Sequence, residues 1–288
     1  MTALLSGSQS PSALPAINPQ DSRMSPYFRV MRVLRVDHVT PLMRRITLGG
    51  APLEGFDFEC PRDCLAPHVH LEIPPEGVND PAWPLLRGDG TVRVTKPDGS
   101  AATIERTYSV RAIDTAKEEL AVDVVLHGDG PGSRFGERAE PGMTCGVWSP
   151  HGTTLPPTDW FVIGGDQTAL PGIAWILESL PRNAQGQAFI EVANREEEQP
   201  LACPEGIELT WLHLDGVASG TAQRLADKVI AAPWPRDARP FLWFGAEAAA
   251  ARRVRRHARH VLQFDRKRFD VVNYWKRGAA EGEFHAMR

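Results

Sequence analysis

The chain has 288 residues, 42% of them hydrophobic, with a formal net charge of −4, which allows two ordinary globular domains. That charge balance argues against a general nucleic-acid or membrane binder, so any basic site must be local. No apolar run approaches about 18 residues, so no stable membrane insertion is expected, and four cysteines point to a reducing cytoplasm rather than a disulfide framework.

Residues 1–27 are rich in Ser, Pro and Ala and read as a disordered arm. They lack the basic start and apolar core of a secretion signal. From Tyr27 to Trp148 the pattern is all-β. Phe28–Val36 and Arg45–Leu48 are rich in β-branched and large apolar residues. Val69, Leu71 and Ile73 alternate with His68, His70 and Glu72, the signature of a half-buried strand. Further strands are expected at Thr91–Thr95, Thr107–Ile113, Leu120–Leu126 and Thr144–Trp148. Many short strands separated by Pro and Gly predict a small antiparallel β-barrel over residues 28–152. One helix interrupts it, with Ser133 as its N-cap and Pro141-Gly142 as its stop.

After Pro156-Pro157 the rhythm changes. Trp160–Gly164 is a short apolar run typical of a buried parallel strand. Leu170, Ile173, Ala174, Leu177 and Leu180 then fall on one helical face, with Pro171 in the permissible first turn and Pro181 as the stop. Strands are expected at Phe189–Ala193, Glu208–Leu212 and Phe241–Phe244, and helices at Thr221–Ala231 and Ala246–Gln263. This alternation predicts an α/β domain with a parallel sheet over residues 158–270.

Two strings carry chemistry in the first half. Arg106-Thr107-Tyr108-Ser109-Val110-Arg111 combines a guanidinium able to grip a pyrophosphate, a flat aromatic face for an isoalloxazine and a hydroxyl within reach of a ring nitrogen. His127-Gly128-Asp129-Gly130-Pro131-Gly132-Ser133 follows as strand end, glycine-rich turn and helix start, where backbone N–H groups favour a phosphate. Either alone has a plain structural reading as a strand face or a turn; their order and spacing favour the functional one. In the second half, Gly164-Gly165-Asp166-Gln167-Thr168-Ala169 joins the first parallel strand to its helix, where nucleotides bind in open sheets. It is not a GxGxxG fingerprint. Phe244-Gly245-Ala246-Glu247 reads as a second turn lining the same crevice.

Together these strings resemble the siderophore-interacting protein family, a branch of the ferredoxin–NADP reductase superfamily. The resemblance runs from about Arg29 to Arg288. It also rests on Pro41–Leu48, on Ala66–Leu71 and on Tyr274-Trp275-Lys276-Arg277-Gly278. It implies an FAD-binding barrel followed by a domain for NADPH or NADH, and an enzyme that reduces a ferric siderophore and releases Fe(II). It implies Arg106, Tyr108, Ser109, Val110 and Arg111 at the flavin, with His127, Gly130, Pro131, Gly132 and Ser133 near its phosphates. Gly165, Asp166, Gln167, Thr168, Ala169, Gly245 and Glu247 would face the dinucleotide. Residues 271–288 would form a tail returning to the flavin, putting Trp275 and Lys276 beside the substrate. The chain departs from the family at His70 and His151, where basic residues thought to attract the anionic chelate are expected; a histidine holds no fixed charge at neutral pH.

No general acid or base is assigned, because the protein's task in such a reaction is placement and field. Competing readings are a flavin reductase with a non-siderophore acceptor, or a non-catalytic flavoprotein carrying electrons from ferredoxin. A monomer is expected. Cys60, Cys64, His68 and His70 are metal-ligand types at the wrong spacing, so no metal site is assigned. The arginines at 252, 253, 255, 256 and 259 read as a solvated helix face, with a phosphate or redox-partner patch as the alternative. Glu196-Glu197-Glu198 reads as an exposed loop.

Overall fold

The computed structural model describes residues 27–51, 53, 64–78, 81–86, 92–94, 102–128, 130–235 and 237–281. Strands β1 (Phe28–Thr40), β2 (Met43–Gly49), β3 (Cys64–Ile73), β4 (Pro84–Leu86), β5 (Val92–Val94), β6 (Ile104–Asp114) and β7 (Glu119–Val125) come first. Helix α1 (Pro131–Arg138) precedes β8 (Thr144–Trp148) and β9 (His151–Thr154). The sheet order is β6-β7-β2-β1-β8-β3-β9, and β6 pairs with β3 as well. Six strands therefore close into an antiparallel barrel, and β9 lies outside the ring. Alternation sends Met31, Val33, Ile46, Leu48, Val69 and Leu71 into its core, and α1 adds Phe135, which has no exposed surface. Burying a side chain of that size contributes about 1.5–3 kcal/mol.

The second half has β10 (Trp160–Asp166), β11 (Gly186–Val192), β12 (Ile207–His213), β13 (Pro240–Glu247) and β14 (Phe269–Trp275) in the parallel order β12-β11-β10-β13-β14. Helix α2 (Leu170–Ser179) covers one face, and α3 (Arg224–Ile230) and α4 (Ala248–His260) cover the other. The chain steps from β10 outward to β12, then returns to the far side of β10 at β13. The crevice at that reversal is where open sheets bind ligands. Met43, Leu65 and Ala66 of the barrel share a core with Ile173 and Leu177 of α2, so apolar packing is continuous across the junction.

Several sequence expectations change in the structure. Ser133 lies inside α1 and does not cap it; the N-cap is Gly130, and the Ser133 hydroxyl accepts from the His127 N–H at 3.0 Å. Ala246 belongs to β13, and α4 begins only after Glu247, whose carboxylate caps the Ala249 N–H. The helix expected from Thr221 starts at Arg224, because the Thr221 N–H and hydroxyl are both spent on Ala218 O in a turn. Residues 271–275, read as tail, complete β14. The edge strands β4 and β9 were not anticipated. Residues 1–26, Cys60, Thr91, Thr95, Asp129 and residues 282–288 lie outside the described residues.

The acidic triplet is the largest correction. Glu197 is only 1% exposed. Its carboxylate accepts from Thr40 Oγ1 at 2.5 Å, from the Leu42 N–H at 2.9 Å and from Gln167 Nε2 at 2.6 Å. It pins the barrel to the first turn of the parallel sheet. Glu198 meets His213 Nε2 at 2.7 Å, and Glu196 alone of the three is exposed.

Candidate functional site

A cleft of about 660 Å³ separates the barrel from the carboxyl ends of the parallel strands. Its barrel wall consists of Arg106–Ser109 on β6, Asp123 and Val125 on β7, His127 and the Gly130–Gly132 turn into α1. Its opposite wall consists of Asp166–Thr168 after β10, Glu191–Ala193 at the end of β11, and Ser219-Gly220. The segment from Tyr274 to Glu281 crosses between the walls.

The barrel wall is shaped for close approach. A Cβ at Gly132 would collide with the Tyr108 hydroxyl, so only glycine lets the turn sit beside that ring. Burial, followed by the nearby Glu281 carboxylate, pushes the Tyr108 phenol above its ordinary range, so it stays a neutral donor. Ser109 Oγ and Tyr274 Oη share a hydrogen bond at 2.9 Å. Behind the wall, Arg45 grips the buried Asp123 through two bonds of 2.7 and 2.8 Å, locking β2 to β7.

Asp166 organises the opposite wall. One carboxylate oxygen accepts from the Thr168 N–H at 3.0 Å and from the Thr168 hydroxyl at 2.5 Å. The other accepts from Trp275 Nε1 at 2.8 Å and from the Glu247 N–H at 3.1 Å. One side chain therefore fastens both nucleotide-side turns and the crossing segment. Desolvation outweighs these bonds and raises its pKa. Gly165 must be small, because a Cβ there would lie 2.7 Å from Gly245 O. Beside it, burial and then the charge of Asp166 push Glu191 up to about 7, and its Oε2 has no hydrogen-bond partner among the described residues.

The cleft thus gathers Arg106, Tyr108, Ser109, His127, Gly130, Pro131, Gly132, Asp166, Gln167, Thr168, Trp275 and Lys276 from the sequence expectation. It leaves others out. Val110 points into the barrel core with no exposed surface, because it alternates with Ser109. Arg111 is bound to Glu178 on α2 through bonds of 3.1 and 2.7 Å, away from the cleft. Ser133 is a helix-internal hydrogen-bond acceptor, while Gly165, Ala169, Gly245 and Glu247 form the packed backing of the wall. His70 and His151 do not line the cleft. They flank His68, with ring centroids 5.9 and 6.3 Å from it, and His70 Nδ1 lies 3.0 Å from Thr107 Oγ1. Among the described residues no group of three His, Cys, Asp or Glu could hold a metal ion.

Tyr274, Glu191 and Glu281 line the cleft without having been expected as site residues. Tyr274 was visible in its dipeptide with Trp275, but its position against Ser109 depends on β14. Glu191 and Glu281 carry no local motif. Glu281 is informative, because its carboxylate accepts from the Thr107 N–H at 3.0 and 3.2 Å and lies 4.0 Å from Arg106 Nε. An anion therefore already sits beside Arg106, the guanidinium expected to hold a pyrophosphate, and on the neighbouring Thr107 N–H. The donor chemistry and the glycine-lined wall fit a flavin dinucleotide.

The comparisons agree in both halves. Residues 32–154 match the siderophore-interacting FAD-binding domain, and residues 158–278 match the siderophore-interacting protein domain. The chain is 30% identical to the ferric vibriobactin reductase ViuB of Vibrio cholerae, over 91% of this chain and 94% of that one. It is 28% identical to the NADPH-dependent ferric-chelate reductase of Escherichia coli, over 89% and 96%. The crystal structure of a siderophore utilization protein from T. fusca superposes with a TM-score of 0.79 at 34% identity, covering 91% of this chain and 98% of that one. The barrel, the parallel sheet and the cleft between them are those of a chain that belongs to the siderophore-interacting protein family.

Proposed function

We propose that the chain is an NAD(P)H-dependent, FAD-containing reductase of ferric siderophores that releases the iron as Fe(II). One observation carries the reading: a single cleft is lined on one side by Arg106–Ser109 and on the other by Asp166–Thr168, so two dinucleotides held on opposite walls can meet. Bound FAD would supply the conversion of a hydride's electron pair into single electrons, which ferric iron requires. The chain's own residues position the partners. Arg106 and the Thr107 N–H hold a pyrophosphate once Glu281 yields them, and Tyr108 offers its ring as a platform. Ser109 and Tyr274 fix each other's hydroxyls where the two walls approach. Asp166, by holding Trp275, keeps the crossing segment over the cleft and limits water there.

Among the described residues no helix is long and apolar enough to cross a membrane, and Cys145 and Cys203 are free thiols. The free thiols support action in a reducing cytoplasm, and the reading takes the chain as a monomer with NADPH or NADH as donor and ferredoxin as an alternative donor. A second reading, a flavin reductase with a non-siderophore acceptor, is favoured by His70 and His151, which stand where the family's basic residues are expected. The test is anaerobic spectroscopy of the FAD-loaded protein. NAD(P)H should bleach the flavin and ferric siderophore should restore its colour. Bleaching without restoration selects the second reading, and no bleaching rejects both.

A further inference from the structure

A second recess, larger than the cleft, lies on the far side of the crossing segment. It has a volume of about 1010 Å³. Thr153 and Thr154 of the barrel's outlying strand β9 form one wall; α4 and the edge strand β14 form the other. Four arginines of α4 line it, at positions 252, 255, 256 and 259, an i, i+3, i+4, i+7 face. The adjoining helix face, Ala251, Val254 and Ala258, is buried against the sheet. Arg266 and Lys267 add charge from a short turn, and Lys276 lines both this recess and the flavin cleft. Asp270 is the one carboxylate among the described lining residues.

Two of these cations have structural employment. Arg255 donates to Val271 O at 2.6 Å and to Asn273 Oδ1 at 3.3 Å, and Arg259 covers the Phe269 ring at 5.8 Å. Arg252, Arg256, Arg266 and Lys267 form no ion pair with a described carboxylate and are exposed. The helix dipole rewards cations only in the last turn, which covers Arg259 and His260 and leaves the others uncompensated. Like charges three and four residues apart destabilise a helix by a few tenths of a kcal/mol per pair. A chain of net charge −4 that concentrates cations in one recess has a local field that only an anion relieves. The recess has walls and the volume of a small-molecule site, whereas a protein partner needs a broad open face.

We propose that this recess captures the ferric substrate as a multiply anionic, oxygen-ligated chelate and delivers it past Lys276 to the flavin cleft. The inference rests on the reductase reading and relocates the attracting charge from the barrel, where His70 and His151 stand, to α4 and the turn after it. The same donors suit a phosphate, so the test carries both ligands.

The experiment is equilibrium binding to the FAD-loaded full chain, read by tryptophan fluorescence. The ligands are a gallium tris-catecholate, an uncharged gallium trihydroxamate and 2′,5′-ADP. Gallium is not reduced, so binding is scored independently of turnover. The variants are Arg252→Glu/Arg256→Glu and Arg266→Glu/Lys267→Glu, with Arg252→Gln/Arg256→Gln as a milder pair should charge reversal unfold the chain. The expected result is a Kd for the catecholate raised about tenfold or more in either Glu pair and rising with salt, while the uncharged chelate moves less than about twofold. Unchanged catecholate binding in the variants overturns the proposal. So does equal loss of both chelates, or a recess that takes 2′,5′-ADP and not the catecholate. If the wild type binds gallium catecholate as expected but its reduced flavin ignores the ferric form, the reductase reading fails and the capture site stands.

Discussion

Replacing Glu197 by Ala removes the acceptor on which Thr40, Leu42 and Gln167 converge. Hydrogen bonds to a charged group contribute about 1.5–3 kcal/mol each, but three that share one carboxylate do not add in full. Leaving a buried neutral donor unpaired costs about 1–3 kcal/mol, so three donors that partly relax should cost about 3–5 kcal/mol together. For a chain of this size that corresponds to a fall in Tm of roughly 10 °C. Gln167 would lose its anchor as well, although its Oε1 still accepts from the Ala193 N–H at 3.2 Å. Glu197→Gln keeps an acceptor but aims an amide donor at other donors, at a cost of about 1–2 kcal/mol. Glu196→Ala, on the exposed neighbour, should stay within about 0.5 kcal/mol. Thermal and urea unfolding of the three variants supplies the comparison. If Glu197→Ala is no less stable than Glu196→Ala, the carboxylate does not join the two halves and the reasoning fails.

Glu191 predicts a pH-dependent gain. Its folded pKa is raised from 4.5 to about 7, chiefly by burial, so the folded chain holds that proton more tightly than the unfolded chain. Stability is highest below the unfolded value and is lost as pH rises through about 7. The span sets a ceiling of about 3 kcal/mol, and solvent at the cleft mouth reduces it to roughly 1–2. Glu191→Gln should therefore stabilise the chain by that amount at pH 8 and much less at pH 5; an equal effect at both pH values would sink the assignment. Gly132→Ala should weaken FAD binding about tenfold or more, because the new Cβ meets the Tyr108 hydroxyl and displaces the ring from its place on the wall. Adding Tyr108→Phe should recover part of that loss in a flavin-fluorescence titration, and no recovery would show that the collision is not the cause.

The two halves of the fold were legible because their hydrophobic periods differ. The alternation around Val69–Ile73 and the run at Trp160–Gly164 report, respectively, a half-buried and a fully buried strand, and Thr144–Trp148 emerged with its expected bounds. The edge strands β4, β9 and β14 were not legible, although the edge strand β12 was. In β14, Asp270 and Asn273 interrupt the apolar pattern, since one side of that strand has no neighbouring strand to pack beside. Arg106, Tyr108 and Asp166 could be read because charge, aromatic face and strand end coincide in short strings. Arg111 ends the same string, and its pairing with Glu178 of α2, distant in sequence, could not be read from it. Glu197 misled because three acids in a row look solvated until partners 155–157 residues away are known. Contacts between halves of the fold leave little trace in either half alone.

The measurement closest to the central claim is an anaerobic single turnover with a ferrous trap. The FAD-loaded protein is reduced with one equivalent of NAD(P)H and mixed with a ferric siderophore. Full return of the flavin colour with about two ferrous ions trapped per flavin is the predicted result, because each hydride carries two electrons. A flavin that stays bleached with no ferrous iron, in protein that binds FAD and accepts hydride, would contradict the assignment.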